Sequence, residues 1–416
     1  MAAFQLAALF LALVAGVAWV NAKWMRLPPG AAMFMAGLIG ASALAAVERA
    51  APGATFAHPF IVAMNQLNFA DTVVGQMLAF LLFSGAMQVD LSELRRTRAA
   101  VWSLATLGVV ASTAVVGFAA WVIAGKLGLP LTLPWALVFG ALISPTDPVA
   151  VIATVRRGRL SPRIVAILQG EALLNDAVGI MVFLAALAFA VQGEAHSFGA
   201  VGRVMLSGAG GFLFGLATAY MVVQAMRRVR GAEVKAILSL ALAMGVYAGA
   251  QALGLSGPMA SVAAGFLVGG AVEGPMVSAA TRAQLRSLWG LIDELLNAVL
   301  FLIMGLEVMV LPFEPRFAGL AAAVIPLVLV VRLAIVAPWG AYYHLRESDP
   351  GATQLLAWGG LRGGLSLALA LGTPEGPQRA ALISLTYAVV AFSVVVQGLS
   401  FGPLADKLRQ APATET

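Results

Sequence analysis

The chain has 416 residues, of which 61% are apolar and only 11% charged, and its formal net charge is +6. A soluble globular protein carries about 25% charged residues, so this composition excludes a soluble domain and predicts an all-α polytopic membrane protein. The long continuous apolar runs exclude a transmembrane β-barrel, whose strands alternate polar and apolar residues. Cysteine is absent, which excludes disulfides and thiolate metal sites. Basic cytoplasmic loops explain the positive charge, so we predict a lipid-embedded chain that binds no nucleic acid.

The apolar residues are grouped into segments that match the thickness of a bilayer. A helix needs about 20 apolar residues to cross a membrane. We predict about thirteen transmembrane helices, at roughly 4–22, 29–47, 72–90, 99–125, 132–154, 163–191, 200–225, 234–253, 255–272, 289–310, 317–343, 353–372 and 379–402. The first segment also resembles a signal peptide, but Lys23 and Arg26 follow it and no basic residue precedes it. That polarity is the reverse of a signal peptide, so we expect a first span.

The basic residues are distributed unequally between the two sets of loops. Eighteen of the 25 lysines and arginines follow odd-numbered spans, and five follow even-numbered spans. Positively charged loops stay in the cytoplasm, so we predict a multi-pass protein of the bacterial inner (plasma) membrane, with its N-terminus outside and its C-terminus cytoplasmic. The remaining two, Arg332 and Arg362, fall inside spans eleven and twelve, where an isolated charge needs a partner.

Span five contains an acidic residue between two prolines. The sequence at 144–148 is Ser-Pro-Thr-Asp-Pro, so Pro145 and Pro148 flank Thr146 and Asp147. Each proline removes a backbone donor and blocks a helical hydrogen bond, which predicts a helix break at the acid. A charge at the bilayer centre costs about 2.5–17 kcal/mol, and broken helices with a mid-membrane acid are typical of ion sites in secondary transporters.

Span six carries further polar residues, Glu171, Asn175 and Asp176. By residue count Asp147 and Asp176 both lie near the middle of their spans, so the two can meet at the midplane. Carboxylate, hydroxyl and carbonyl oxygens are the ligands that hard cations prefer, and Thr146 adds such a group. Loss of hydration disfavours the charged form of a carboxyl group, so a proton and a cation can compete for this site.

A second break is predicted in span twelve, where the sequence at 359–364 is Gly-Gly-Leu-Arg-Gly-Gly. Spans five and twelve are seven apart, so their breaks correspond if spans 1–6 and 8–13 are repeats. An odd offset gives the two repeats opposite orientations, which indicates inverted repeats with span seven as the connector. We therefore expect two broken, crossing helices.

These motifs resemble those of the NhaP-type sodium/proton antiporters, members of the cation:proton antiporter superfamily that are similar to animal sodium/proton exchangers. The resemblance rests on Thr146-Asp147-Pro, on Gly-Glu171-x-x-x-Asn175-Asp176, on Gly-Leu-Arg362-Gly and on the run from Phe301 to Glu307. It implies a homodimer with a dimerisation domain (1–98 and 192–310, with connector span seven). The rest would be a core ion-transport domain (99–191, spans 4–6, and 311–404, spans 11–13) and a short cytoplasmic tail (405–416).

The resemblance also implies a role for each polar residue. Asp176 would bind the transported Na⁺ or proton, with Asp147 and Thr146 completing the metal site. Asn175 would orient the core and is associated with electroneutral one-for-one exchange. Glu171 and Arg332 would form a structural ion pair, and Arg362 would balance charge at the crossing. Ala172 departs from the pattern, because many members have a serine there whose hydroxyl can touch the ion.

The predicted function is exchange of Na⁺ or Li⁺ for H⁺ by alternating access, with no enzymatic activity and no cofactor. A potassium/proton exchanger is an alternative that the residues separate poorly. A cation channel would be expected to show repeated filter sequences, which we do not find, and an intramembrane hydrolase could use Asp147 and Asp176 as its dyad. Four polar residues border span ten, where a solvated helix end is favoured over an entrance funnel: Asp293, Glu294, Asn297 and Glu307.

Overall fold

The computed structural model describes residues 3–50, 77–148, 160–192, 194–274, 277–309, 314–347 and 351–410, and these are almost entirely helical. The helices of the first half are α1 (Ala3–Val20), α2 (Pro29–Ala50), α3 (Leu78–Gln88), α4 (Leu91–Ser103), α5 (Val109–Lys126), α6 (Leu133–Ile143), α7 (Pro162–Gln192) and α8 (Glu194–Arg228). Those of the second half are α9 (Ala232–Ala252), α10 (Gly257–Glu273), α11 (Ala279–Leu306), α12 (Ala318–Glu347), α13 (Ala352–Trp358), α14 (Gly364–Leu371), α15 (Arg379–Phe392) and α16 (Gly398–Gln410). The predicted all-α fold class is confirmed.

Helical residues lie within each of the thirteen predicted spans. Nine stretches of the described chain are long and apolar enough to cross a membrane, and α3, α6 and α10 are shorter apolar helices. The start of predicted span three and the end of span five lie outside the described residues, so the number of spans stays a prediction. The tail predicted from residue 405 begins inside α16, which continues to Gln410.

Several helices begin at residues whose side chains satisfy the first backbone donors. Asp90 precedes α4 and its carboxylate accepts from the backbone N–H groups of Ser92 and Glu93. Ser256 and Ser278 cap α10 and α11 in the same way. Such caps provide the hydrogen bonds that water would otherwise make at helix ends, where the surroundings are lipid or protein.

The buried apolar residues form three clusters. The first joins α4–α7 with α12–α16 and includes one face of α3. A separate cluster joins α3 with α8–α11. The remaining one lies where α1, α2 and α11 meet α14 and α15. The molecule therefore has one packed body made from predicted spans 4–6 and 11–13, another made mainly from spans 7–10, and an apolar contact zone where spans 1, 2 and 10 meet spans 12 and 13.

Candidate functional site

The site lies where the end of α6 meets the gap between α13 and α14. α6 ends at Ile143, and the non-helical residues 359–363 separate α13 from α14. The backbone N–H of Asp147 donates to the carbonyl oxygen of Leu361 at 2.8 Å, in an isolated antiparallel bridge. Backbone groups inside a membrane must find partners within the protein, and each break supplies a partner to the other. The predicted break in span twelve is confirmed, and the helix of span five ends where its break is predicted; the continuation of span five lies outside the described residues.

Glycine allows the two breaks to approach this closely. A Cβ atom at Gly363 would collide with the carboxyl group of Asp147, and one at Gly360 would collide with the guanidinium of Arg332. The glycines around Arg362 therefore admit side chains from two neighbouring elements. This close approach fixes the position of Asp147 relative to the second break.

Asn175 connects α7 to the first break. Its Nδ2 donates to Thr146 Oγ1 at 2.8 Å, and its Oδ1 accepts from the Thr146 backbone N–H at 3.2 Å. Both residues are buried. Successive helical residues point about 100° apart, so Asp176 faces a different direction from Asn175. Asp176 and Asp147 line the same cavity, so the structure brings the two predicted aspartates to one site.

A cavity of about 200 Å³ reaches both aspartates. This volume accommodates several water molecules. Its polar lining comes from α3, α7, α11, α14 and the first break, and consists of Gln88, Thr146, Asp147, Gln169, Asp176, Asp293, Asn297 and Ser366. Ala172 also lines the cavity, so the position where many resembling proteins carry serine faces this space and contributes no oxygen here.

Glu171 and Arg332 form the buried ion pair that the motif resemblance implied. Both nitrogens of the guanidinium fork bond the carboxylate, with Nη1 donating to Oε1 and Nη2 donating to Oε2 at 2.9 Å. Arg332 also donates from Nε and Nη2 to the carbonyl oxygen of Leu356, at 3.3 and 3.0 Å. That carbonyl lies near the C-terminus of α13, where helical partners run out. The pair therefore ties α7, α12 and α13 together.

Arg362 lies at the crossing and bonds carbonyl oxygens from both breaks. Its Nη1 donates to the carbonyls of Pro145 and Gly360 at 3.4 and 3.3 Å. Its backbone N–H donates to Ser393 Oγ at 2.8 Å. A buried cation here lies against carbonyl oxygens that have lost helical partners; its predicted role in charge balance stays a prediction.

Sequence reasoning missed two supporting residues, Ser393 and Gln397. Ser393 Oγ donates to Gln397 Oε1 at 2.7 Å, and Gln397 Nε2 donates to the Trp358 carbonyl at 3.3 Å. The two lie four residues apart on one side of an otherwise apolar segment, in a π-helical turn from Ser393 to Gln397. That spacing was the available signal, because a polar pair on one helix face inside a membrane needs a partner.

The four polar residues bordering predicted span ten have different environments. Asp293 and Asn297 line the cavity, as an entrance funnel would require, and Glu294 is exposed. Glu307 is only 7% exposed. The expectation of a solvated helix end is therefore wrong for Glu307, because its turn packs against α2 and borders the apolar cluster through Val308.

Comparison with known proteins agrees with this geometry. The family described as "Sodium/hydrogen exchanger, transmembrane" matches residues 9–407. The chain is 36% identical to the Na(+)/H(+) antiporter NhaP of Pseudomonas aeruginosa, over 97% of this chain and 96% of that protein. It is 31% identical to the Na(+)/H(+) antiporter NhaH of Halobacillus aidingensis, over 93% of each.

A solved structure shows the same fold. The sodium proton antiporter MjNhaP1 from Methanocaldococcus jannaschii superposes with a TM-score of 0.74 at 21% identity, over 98% of each chain. Because the family match covers nearly the whole sequence, the chain belongs to the sodium/hydrogen exchanger family.

Proposed function

We propose that the protein is a secondary antiporter that exchanges Na⁺ for H⁺ across the bacterial plasma membrane. The observation that carries this proposal is the meeting of Asp147 and Asp176 in one cavity, where the end of α6 meets the gap between α13 and α14. The family membership and the names of the relatives support it.

Exchange follows from competition at the aspartates. Two carboxylates close together repel each other, and either a proton or a bound cation relieves the repulsion. Thr146 adds an oxygen ligand of the kind that a hard cation prefers, and Asn175 holds that threonine in place. One positive charge would then cross in each direction, so membrane voltage would not drive the exchange.

The remaining polar residues hold the site in shape. We assign Glu171 and Arg332 to a permanent ion pair and Arg362 to charge balance at the crossing. A bidentate pair with additional backbone bonds is a poor proton carrier, because losing either partner's charge leaves the other buried and unpaired.

We further propose that residues 99–191 and 311–404 form a moving core, and that 1–98 and 192–310 form the scaffold and dimer interface. The separate apolar clusters support this division. The cavity mouth, marked by Gln88, Gln169 and Asp293, lies toward the helix ends that adjoin the basic loops. With those loops in the cytoplasm, the structure would represent the inward-open state of a multi-pass protein with its N-terminus outside.

The relatives do not favour the alternative functions. The named relatives are sodium/proton antiporters, which does not favour the potassium/proton exchanger. They are transporters rather than enzymes or channels, so a hydrolytic dyad and a conducting pore are also not favoured.

Proton flux in proteoliposomes with an inside-acid pH gradient tests the function. Adding Na⁺, Li⁺ and K⁺ in turn should collapse the gradient for the transported ions, at a rate unchanged when a potassium ionophore clamps the voltage. The Asp176→Asn variant should show only the leak of protein-free liposomes, because it lacks the exchangeable charge.

Asp90→Asn is the matched control, since Asp90 is exposed outside the cavity and asparagine also caps helices. It should exchange at the wild-type rate. Absence of cation-dependent collapse in folded wild-type protein across several pH values would contradict the proposed function.

A further inference from the structure

Glu307 is a buried acidic residue that the proposed exchange site does not use. Its depth follows from counting residues along α11. Asp293 and Leu300 both line the cavity, and Asp293 lies nearer the end of α11 that adjoins the basic loops, where we place the cavity mouth. At 1.5 Å per residue, Glu307 lies about 10 Å further along, on the opposite side from the mouth. There the residues from Phe301 to Glu307 are all buried, so the described part of the chain closes this side of the site.

The surroundings of Glu307 are apolar and tightly packed. α2 and α11 approach so closely that a Cβ on Gly37 would collide with the backbone at Leu302, and one on Gly305 would collide with the backbone at Phe34. Glu307 follows Gly305 by two residues, in a short 3₁₀ turn from Glu307 to Met309 that also packs against α2. The cluster around it joins α1, α2 and α11 to α14 and α15.

The described chain places no compensating charge beside Glu307. α1, α14 and residues 29–47 of α2 contain no titratable residue. On α11 the nearest acidic groups, Asp293 and Glu294, are more than three turns away. On α15 the charged residue is Arg379, about two turns from Tyr387, and it pairs with Glu375 at 2.7 Å.

Glu307 and Tyr387 each contain a buried polar atom that is not used. Oε2 of Glu307 and the hydroxyl of Tyr387 are both buried without a hydrogen-bond partner among the described residues. They lie close enough for the carboxyl charge to act on the hydroxyl. An ionised, unpaired carboxylate in such a place costs several kcal/mol, and the group takes up a proton instead.

We propose that Glu307 is a second proton-binding carboxyl, separate from the Asp147–Asp176 pair. It holds a proton while α15 is closed against α2 and α11, and it releases that proton when the closed side opens to water. The ionised form then accepts a hydrogen bond from Tyr387. This inference rests on the proposed antiport, because it couples closure of the outer side to external pH. The outer side is the one away from the basic loops.

Infrared spectroscopy of the lipid-reconstituted protein tests the bound proton without measuring transport. With Na⁺ saturating, so that protons leave Asp147 and Asp176, wild-type protein should retain the carbonyl stretch of a protonated carboxyl group. Glu307→Gln should remove that band. Glu294→Gln, which changes an exposed carboxyl on the same helix, should leave it unchanged. A band equally strong in Glu307→Gln would overturn the proposal.

Exchange in right-side-out membrane vesicles tests the coupling. As the bath becomes alkaline, ionisation of Glu307 should slow closure by up to about tenfold per pH unit, the limit for one titrating group. Glu307→Gln should lose the part of the external pH dependence that ionisation of Glu307 causes. It should keep the part that is due to the aspartate pair. Tyr387→Phe should shift the Glu307-dependent part to higher pH, because the ionised form loses its donor.

An unchanged external pH profile in both variants would overturn the coupling. Failure of the antiport itself would appear as absent Na⁺-dependent flux in wild-type protein, and the infrared band would still decide whether Glu307 carries a proton.

Discussion

The cavity aspartates and the Glu171–Arg332 pair are neighbouring regions that surround a buried carboxylate in opposite ways. On α7, Glu171 and Asp176 are only five residues apart. Glu171 is bound by both arms of one guanidinium and is almost fully buried. Asp176 instead faces a cavity and a second carboxylate.

The difference shows how a single helix can carry both a fixed and an exchangeable negative charge. A carboxylate paired with a permanent counter-ion is stabilised in its ionised form. A carboxylate beside another carboxylate is repelled by it, and binding a proton or a cation relieves that repulsion. Variants of either carboxylate or of its partners test this contrast, and the largest effect is expected where the fixed pair is lost.

Breaking the fixed pair should cost the most. Glu171→Ala leaves the buried Arg332 charge uncompensated, and we expect destabilisation of about 3–5 kcal/mol, measured by unfolding in detergent. The exposed pair Glu375–Arg379 is the matched control, since surface pairs contribute about 0–1 kcal/mol and Glu375→Ala should fall in that range. Equal stability of Glu171→Ala and wild type would contradict the structural role.

Displacing Asp147, the second carboxylate of the site, should slow transport strongly with little effect on folding. The added methyl group of Gly363→Ala would push against Asp147, and a displacement of about 1 Å at a reacting group can cost about 10²-fold in rate. Gly376→Ala, where nothing lies within 4 Å of the new Cβ, should exchange Na⁺ normally. A Gly363→Ala variant as fast as this control would show that the position of Asp147 is not critical.

Loosening the support of the site should have an intermediate effect. Asn175→Ala removes both bonds to Thr146 and leaves a buried N–H and hydroxyl unsatisfied, at a cost of about 1–3 kcal/mol. We expect a lower melting temperature together with weaker Na⁺ dependence of the flux. Thr146→Ser keeps the hydroxyl and should retain most of the stability; a loss equal to that of Asn175→Ala would show that the bond is unimportant.

Removing an exposed carboxylate should have the smallest effect on stability. Asp90 lies beyond the end of α3, and the hydrogen bond from the Ser92 side chain, with the backbone N–H groups of Ser92 and Glu93, lowers its pKa. A lowered pKa in the folded state adds stability that is present above the unfolded value of about 3.9 and is lost as pH falls through the lower folded value.

Asp90→Ala should therefore cost about 0.5–2 kcal/mol at neutral pH, toward the low end because solvent screens the site. Asp90→Asn keeps a capping side chain and should lose the acid sensitivity of this contribution. Denaturation curves at neutral and acidic pH would separate the two. An Asp90→Ala cost that is equal at both pH values would contradict the assignment.

Much of the site could be predicted because its signals are local. Proline at 145 and 148 cannot continue a helix whatever surrounds it, and the glycines near Arg362 mark the second break for a similar reason. The sequence could not show that Asp147 bonds Leu361, since this contact joins residues more than 200 positions apart. Ser393 and Gln397 were missed because a single serine or glutamine in an apolar helix is common.

The burial of Glu307 could not be predicted for a related reason. It follows a glycine and stands near the end of its apolar segment, where helix ends are normally hydrated. Its burial depends on α2 approaching α11 at Gly37 and on the apolar cluster that borders its turn. No local pattern in either segment specifies that approach.

Local sequence patterns are enough to predict that the chain is a helical membrane protein and where two of its spans lose helical structure. These properties depend on the hydration of apolar side chains and on backbone donors, both of which are local. Helix packing determines which carboxylate pairs with an arginine, which one faces a cavity, and which one is buried without a charged partner. Those outcomes depend on distances through space, and Glu171 and Arg332, 161 positions apart, become neighbours only when the helices pack.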